Sequence, residues 1–415
     1  MALVRDARRE DHKPVRPSPP SRVPVRLYAA RAVRDFGDGF VAVLLPVYLT
    51  VWGLGALEIG VVATAALLGS AATTLAIGWL GGRRDQRALL IMASALMGAT
   101  GLAFMGADSF PVFLVIAFAG TANPSAGSVS IFVPLEHAAL SHAVQDDERT
   151  AAFAHYSLVG ALAGALGGFA AAAPDAMASW GVSTLTALKA MFFAYAGLGL
   201  VAALIYRGIP AAAAGEPRKV SAPLGPSKGV VYRLAAVFCI DSFAGGFAVQ
   251  SLLALWLFNR FGLSLSQAGF FFLWSGVLAA FSFPVASWLA GRVGLVNTMV
   301  FTHIPSSLCL IGAALSPNLD LALALLLVRS ALSQMDVPTR SSYVMAVVTP
   351  PERAAAASVT SVPRSLASAA SPALAGALYA AGYEAWPFVI CGSLKIAYDL
   401  LLLWMFRHVR PPEEA

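Results

Sequence analysis

Apolar runs of about twenty residues, separated by short polar breaks, recur along nearly the whole chain. They fall at 34–53, 58–80, 87–107, 111–141, 151–173, 184–206, 231–256, 266–290, 294–315, 320–348, 355–380 and 386–406. Each is long enough for a helix to cross a hydrocarbon core of about 30 Å, and none shows the strict alternation of a half-buried strand. Twelve such runs predict an all-α polytopic membrane protein. The longest internal polar break, 207–229, contains Pro210, Pro217, Pro223 and Pro226 and divides the helices six and six. We read it as a linker between a first half at 27–206 and a second at 230–408, with a short tail at 409–415. Residues 1–26 are Arg- and Pro-rich and lack the apolar segment of a signal peptide, so they predict a disordered cytoplasmic tail.

Composition agrees with this picture. Of 415 residues, 58% are hydrophobic and only 12% charged, which leaves no room for a large soluble domain. The net charge of +6 could point to nucleic acid in a soluble protein, but here the basic residues gather in alternate loops. One set of loops carries Glu58, Asp108, Asp175, Asp320 and Glu384 against Arg260 alone. The other carries Arg83, Arg84, Arg87, Arg207, Lys228, Arg292, Arg353 and Arg407. By the positive-inside rule both termini face the cytoplasm, and the bilayer rather than a nucleic acid is the partner. Arginine-rich, alanine-rich usage suggests a bacterial source and hence the cytoplasmic (inner) membrane. Cys239, Cys309 and Cys391 are far apart, which excludes a disulfide framework or a zinc site of recognisable spacing.

The two halves echo each other. Gly78-Trp79-Leu80-Gly81-Gly82-Arg83 closes the second run, and Ser287-Trp288-Leu289-Ala290-Gly291-Arg292 closes the eighth. Val133-Pro134 and Glu148-Arg149 recur as Val337-Pro338 and Glu352-Arg353. Parallel six-helix repeats are a transporter architecture, with the solute site between the halves near the midplane.

At these residues the chain resembles the major facilitator superfamily, from Arg31 to Arg407. The stretch from Gly78 to Arg87 is similar to the family's turn between helices two and three, keeping Gly78, Arg83 and Arg87, with Gly82 where the family has an acid. The resemblance implies a cytoplasmic gate at Gly78, Gly82, Arg83, Asp85 and Arg87, with Asp85 as the substitute acid, and a counterpart at Gly291 and Arg292. Gly160, Gly164, Gly167 and Gly168 are a degraded form of the family's antiporter signature, for which helix packing is the favoured reading. Segments 123–127 and 334–340 look similar to prokaryotic efflux members.

Intramembrane charges are costly and mark sites. They concentrate on helices one, four, seven and ten, which in the resembled family line the central cavity. We expect proton coupling at Asp38, Glu136, Asp241 or Asp336, and substrate binding or charge pairing at Asn123, His137, Gln334, Arg340 and Arg364. Arg31/Asp35, Arg34/Asp38, Asp336/Arg340 and Lys395/Asp399 are spaced i,i+4 and predict pairs within their helices. Glu136 lies near the position corresponding to Arg340, which predicts a charge pair between halves. Asn123-Pro124-Ser125 predicts a broken fourth helix.

No phosphate-cradling loop and no hydrolase motif is present in the sequence, so neither ATP coupling nor an enzyme is expected, and no cofactor. The expected function is secondary transport of a small molecule by alternating access, as a monomer. Proton-coupled efflux of a drug-like compound or of arsenite or antimonite is favoured. The alternative is proton-linked import of a sugar or organic anion on Arg340, Arg329 and Arg364. A membrane sensor that does not transport is a more distant possibility.

Overall fold

The computed structural model describes residues 22–80, 85–125, 130–145, 148–210, 224–349 and 352–407, and among them the chain is helical with no strand. The first half runs α1 (Val23–Val51), α2 (Ala56–Leu80), α3 (Gln86–Gly106), α4 (Phe110–Ala119), α5 (Phe132–Ala143), α6 (Arg149–Ala170), α7 (Ala173–Ala178) and α8 (Thr184–Arg207). The second runs α9 (Lys228–Gly246), α10 (Gln250–Phe261), α11 (Leu265–Val293), α12 (Leu295–Leu315), α13 (Leu319–Ser333), α14 (Asp336–Ala346), α15 (Arg353–Ala380) and α16 (Trp386–Phe406). Taking α4 with α5, α6 with α7, α9 with α10 and α13 with α14 leaves twelve crossings, so the ends of α1 and α16 share a face. Among the described residues, nine crossings are long and apolar enough on their own to span a membrane. The others are α1, which carries Arg31, Arg34, Asp35 and Asp38, the broken α4/α5, and the serine-rich α15.

The observed helices depart from the expected elements at three points. α1 starts at Val23, inside the expected tail, because Pro24 is tolerated in a first helical turn. The fourth crossing breaks as expected, at Gly120 after α4. The seventh breaks at Phe247–Val249 and the tenth at Gln334–Met335, where continuous helices were expected. Apolar run length does not register such breaks, because interrupted backbone is tolerated wherever it is buried in protein or lines a cavity; Phe247, Val249 and Met335 are buried and Gln334 is exposed.

The reversals remote from the termini are built on glycine. Gly53 and Gly262 follow the first and seventh crossings, and Gly181 and Gly382 precede the sixth and twelfth, all with φ between 66° and 83°. That left-handed backbone is open to glycine at little cost. The loops thus repeat between halves as the helices do. Several helices start on side-chain caps: Ser183 on α8, the Ser264–Gln267 box on α11 and Asn318 on α13.

Lipid tails are as apolar as leucine, so close backbone approach, not exclusion from water, holds the helices together. Gly39 of α1 packs so tightly on the Gly164 carbonyl of α6 that a Cβ would overlap it, and Gly246 of α9 meets Ser368 and Ser371 of α15 in the same way. Gly160 leaves room for the Arg31–Asp35 pair, whose atoms would lie 2.5 and 2.6 Å from a Cβ there. The packing reading of the Gly160–Gly168 motif is therefore what the geometry supports.

The halves meet toward the face opposite the termini. There α1 packs on α10, α2 on α15, and α6 on α11. Ala373 N donates to Thr64 Oγ1 at 3.0 Å, and Ser266 N and Oγ donate to Asp175 Oδ2 at 2.8 and 2.9 Å. On the terminal face Pro134 of α5 and Val337 and Ser341 of α14 are exposed.

Near that face Glu352 precedes α15 and ties in the end of the linker. It accepts hydrogen bonds from Gly225 N and from Thr349 Oγ1 (2.8 Å). Bonds from Ser227 and Gly225 hold its carboxyl below the ordinary glutamate range. A depressed pKa stabilises above the unfolded value of about 4.3 and is lost as pH falls through the folded value. Protection of the Gly225 amide from exchange, relative to its intrinsic rate, is expected to fall once the pH drops below the ordinary glutamate range, and Glu352→Gln to lower that protection at neutral pH.

Candidate functional site: two buried charge clusters

In the first half α1, α6 and α8 bring three polar side chains onto Glu136 of α5, which is fully buried. Arg34 Nη2 donates to Glu136 Oε2. Tyr156 Oη donates to Oε2 and Tyr206 Oη to Oε1, both at 2.5 Å. Arg34 Nε donates to Tyr206 Oη at 3.1 Å, and the guanidinium lies over the Phe132 ring at 4.0 Å. Arg31 pairs with Asp35 at 2.7 Å and donates to Tyr156 Oη at 3.2 Å.

Asp38 stands apart from this cluster. It is 4% exposed, accepts a hydrogen bond from Tyr195 Oη at 3.0 Å, and among the described residues has no cation within 4.0 Å. Tyr195 spends its one proton on Asp38, so the 3.1 Å contact with Thr121 Oγ1 is donated by the threonine. Thr121 belongs to the α4/α5 break. Two residues on, Asn123 Oδ1 accepts from Ser125 N at 2.8 Å, and the Pro124 carbonyl accepts from Ser251 N at 3.0 Å. Ser251 opens α10 at the α9/α10 break, so the two interrupted crossings touch across the halves.

In the second half Asp241 is the centre. Lys395 Nζ approaches its Oδ1 at 2.6 Å and Arg340 Nη1 its Oδ2 at 2.8 Å, while Arg340 Nη2 holds Asp336 at 3.0 Å. Lys395 also meets His303 Nε2 at 3.3 Å, and His303 Nδ1 meets Asp399 Oδ1 at 3.1 Å. An ammonium only donates, so Nε2 accepts and the imidazole proton sits on Nδ1, facing Asp399.

These clusters are related by the repeat but reversed in sign. Arg34 and Asp241 are 207 positions apart, as are Gly39 and Gly246, while Glu136 and Arg340 are 204 apart, as are Pro134 and Pro338. Helix one carries the base and helix four the acid in the first half, with the opposite arrangement on helices seven and ten.

Several expected pairings are not formed. Glu136 does not meet Arg340; each finds an opposite charge within its own half. Arg34 turns from Asp38 to Glu136, and Lys395 from Asp399 to Asp241, because a neighbouring helix offers a closer and better satisfied partner. Arg31–Asp35 and Asp336–Arg340 form as expected. His137 packs edge-on against Phe153 and Tyr156, at 4.8 and 5.0 Å between rings, and Gln334 is an exposed residue ending α13. Asp85 caps α3 by accepting from Arg87 N at 3.2 Å, which is a local role rather than a latch between halves. Gly82 and Arg83 lie outside the described residues; Gly78 is within α2, Gly291 is exposed, and exposed Arg292 lies 4.1 Å over Trp288. Sequence reasoning named His303 only as one of several histidines able to titrate and did not single out Tyr156, Tyr195 or Tyr206; their one signal is a polar group within an apolar run, which is weak for tyrosine.

Against known proteins, the family model described as Major Facilitator Superfamily matches residues 27–333 and 243–415. The chain belongs to the major facilitator superfamily. It is 24% identical to the uncharacterized membrane protein YJR124C of Saccharomyces cerevisiae, over 92% of this chain and 93% of that one. Among solved structures it is similar to a bacterial homolog of the human lysosomal transporter Spinster, in an inward-facing and unoccupied conformation. That match has TM-score 0.68, 16% identity, and covers 92% and 94% of the two chains. The nucleoside transporter NupG matches with TM-score 0.70 and 12% identity over 94% of this chain and all of that one. This facilitator fold carries a transporter rather than an enzyme, and its cargo is a small molecule.

Proposed function

We propose that this chain couples a proton to the export of a small organic molecule across the cytoplasmic membrane by alternating access, with Asp38 as the proton carrier. The observation that carries this reading is the isolation of Asp38. Glu136 holds the buried Arg34 and Asp241 the buried Lys395, so protonating either takes the close partner from a cation in the membrane interior, while Asp336 shares the Arg340 guanidinium with Asp241 and is tied to that pair. Asp38 can gain and lose a proton without stranding one, and its support by Tyr195 and Thr121 ties that event to the α4/α5 break. The similarity of 123–127 and 334–340 to efflux members supports export. Metalloid cargo finds no matching donor set: the thiols sit on α9, α12 and α16, and among the described residues no group of three Cys, His, Asp or Glu converges.

The test is flux in proteoliposomes carrying an imposed pH gradient, across a panel of dyes, antibiotics and organic anions. Movement against the cargo's own gradient, collapsed by a protonophore, is the expected result. Transport indifferent to both gradient and protonophore would sink the coupling. Proton-linked import of an organic anion is the second reading, favoured by one observation, an arginine of α15 without a carboxylate partner.

A further inference from the structure

Four cationic side chains stand inside the second half, Arg329, Arg340, Arg364 and Lys395, against the carboxylates Asp241, Asp336 and Asp399. The ion pairs of these carboxylates all run to Arg340, Lys395 and His303. Arg364 has no carboxylate within 4.0 Å among the described residues. Its Nε donates to Ser242 Oγ of α9 at 3.0 Å, and the guanidinium lies 5.8 Å from the Phe238 ring, which Arg340 also flanks at 5.6 Å. Eleven residues into α15, Arg364 sits roughly 16 Å along the helix axis, near mid-depth. A guanidinium at that depth calls for a counter-charge, and the protein supplies none at bonding distance.

The surroundings suit an oxyanion. Ser361, Ser365 and Ser368 fall within about 100° of Arg364 around the helix, and Ser361 is exposed while the other two are half-buried. Ser361 Oγ reaches Ser358 O at 3.4 Å and Ser365 Oγ reaches Ser361 O at 3.3 Å, long bonds within their own helix that can be exchanged for a ligand. α15 packs both on α9 and, across the seam, on α2. A ligand here would touch the surface along which the halves move.

We propose that Arg364, with Ser242, Ser365 and Ser368, forms an oxyanion subsite, and that the cargo carries a carboxylate or phosphate group. The fork of the guanidinium binds two oxygens side by side, and the hydroxyls donate to the remainder. The subsite rests on the transporter reading for its purpose, though not for its existence or for the direction of transport.

Thermal unfolding of the purified full-length protein in detergent tests this, titrating benzoate, succinate or inorganic phosphate against glucose and against chloride at matched ionic strength. Wild type is expected to be stabilised by at least one oxyanion and by neither control, and the responding probe tells carboxylate from phosphate. Arg364→Gln should abolish that shift, and Arg364→Lys should weaken binding roughly tenfold by losing the fork. An equal shift in Arg364→Gln, or no shift with any oxyanion, overturns the subsite. Should Arg364→Gln fail to fold, Ser242→Ala decides: weaker binding supports the subsite and unchanged affinity overturns it. No membrane or gradient enters this measurement. Loss of binding therefore leaves the proton reading standing, whereas binding without gradient-driven flux removes the proton reading and leaves the subsite.

Discussion

Glu136→Leu is expected to destabilise the protein by about 3–5 kcal/mol, because it leaves the Arg34 guanidinium charged, buried and without its carboxylate. Arg34 is 1% exposed and Glu136 fully buried, so water cannot take over the lost interaction. Tyr156 and Tyr206 would lose the acceptors of their hydroxyl protons at the same time. The double variant Arg34→Met, Glu136→Leu should recover most of that loss, since removing both charges removes the desolvation cost along with the attraction. Thermal unfolding of the four proteins as a double-mutant cycle measures this coupling. If Glu136→Leu alone unfolds at the wild-type temperature, the cluster is not what holds α1 to α5, α6 and α8.

The second large effect concerns energy coupling. Asp38→Asn keeps the size of the side chain and an acceptor for Tyr195, so the fold should be preserved. With no proton to exchange, gradient-driven accumulation is expected to vanish while exchange of cargo between equal pools continues. Asp38→Glu should restore part of the coupling by returning a carboxyl to the same place. Gradient-driven accumulation that survives in Asp38→Asn would transfer the proton to another carboxylate. Asp399 is the next to test, since its described partner is a histidine rather than a permanent cation.

The same contrast separates what was legible in the sequence from what was not. The Asp, Glu, Lys and Arg residues of both clusters were visible as charges in apolar runs, and α1, α5, α9, α14 and α16 do carry them. Their roles were not visible. Asp38 and Glu136 look alike along the chain, yet one is ringed by two tyrosines and an arginine and the other is held by Tyr195 alone. The interruption at Asn123 could be read because proline and asparagine announce it. The interruptions at Phe247–Val249 and Gln334–Met335 could not, because neither segment contains a proline or an asparagine to announce it.

Span length, the six-and-six division, the family and the helices bearing buried charge were determined by the sequence alone. Each follows from one-dimensional quantities: the thickness of the bilayer against the rise of a helix, and the cost of charge within an apolar run. Which charges pair was decided by tertiary structure. An i,i+4 contact is always geometrically available, so whether Arg34 keeps Asp38 or takes Glu136, and whether Lys395 keeps Asp399 or takes Asp241, depends on how close a neighbouring helix brings a better partner. Those partners lie 102 and 154 residues away along the chain, a separation at which only the packed fold decides what meets, and the same fold leaves Arg364 without a carboxylate at bonding distance among the described residues.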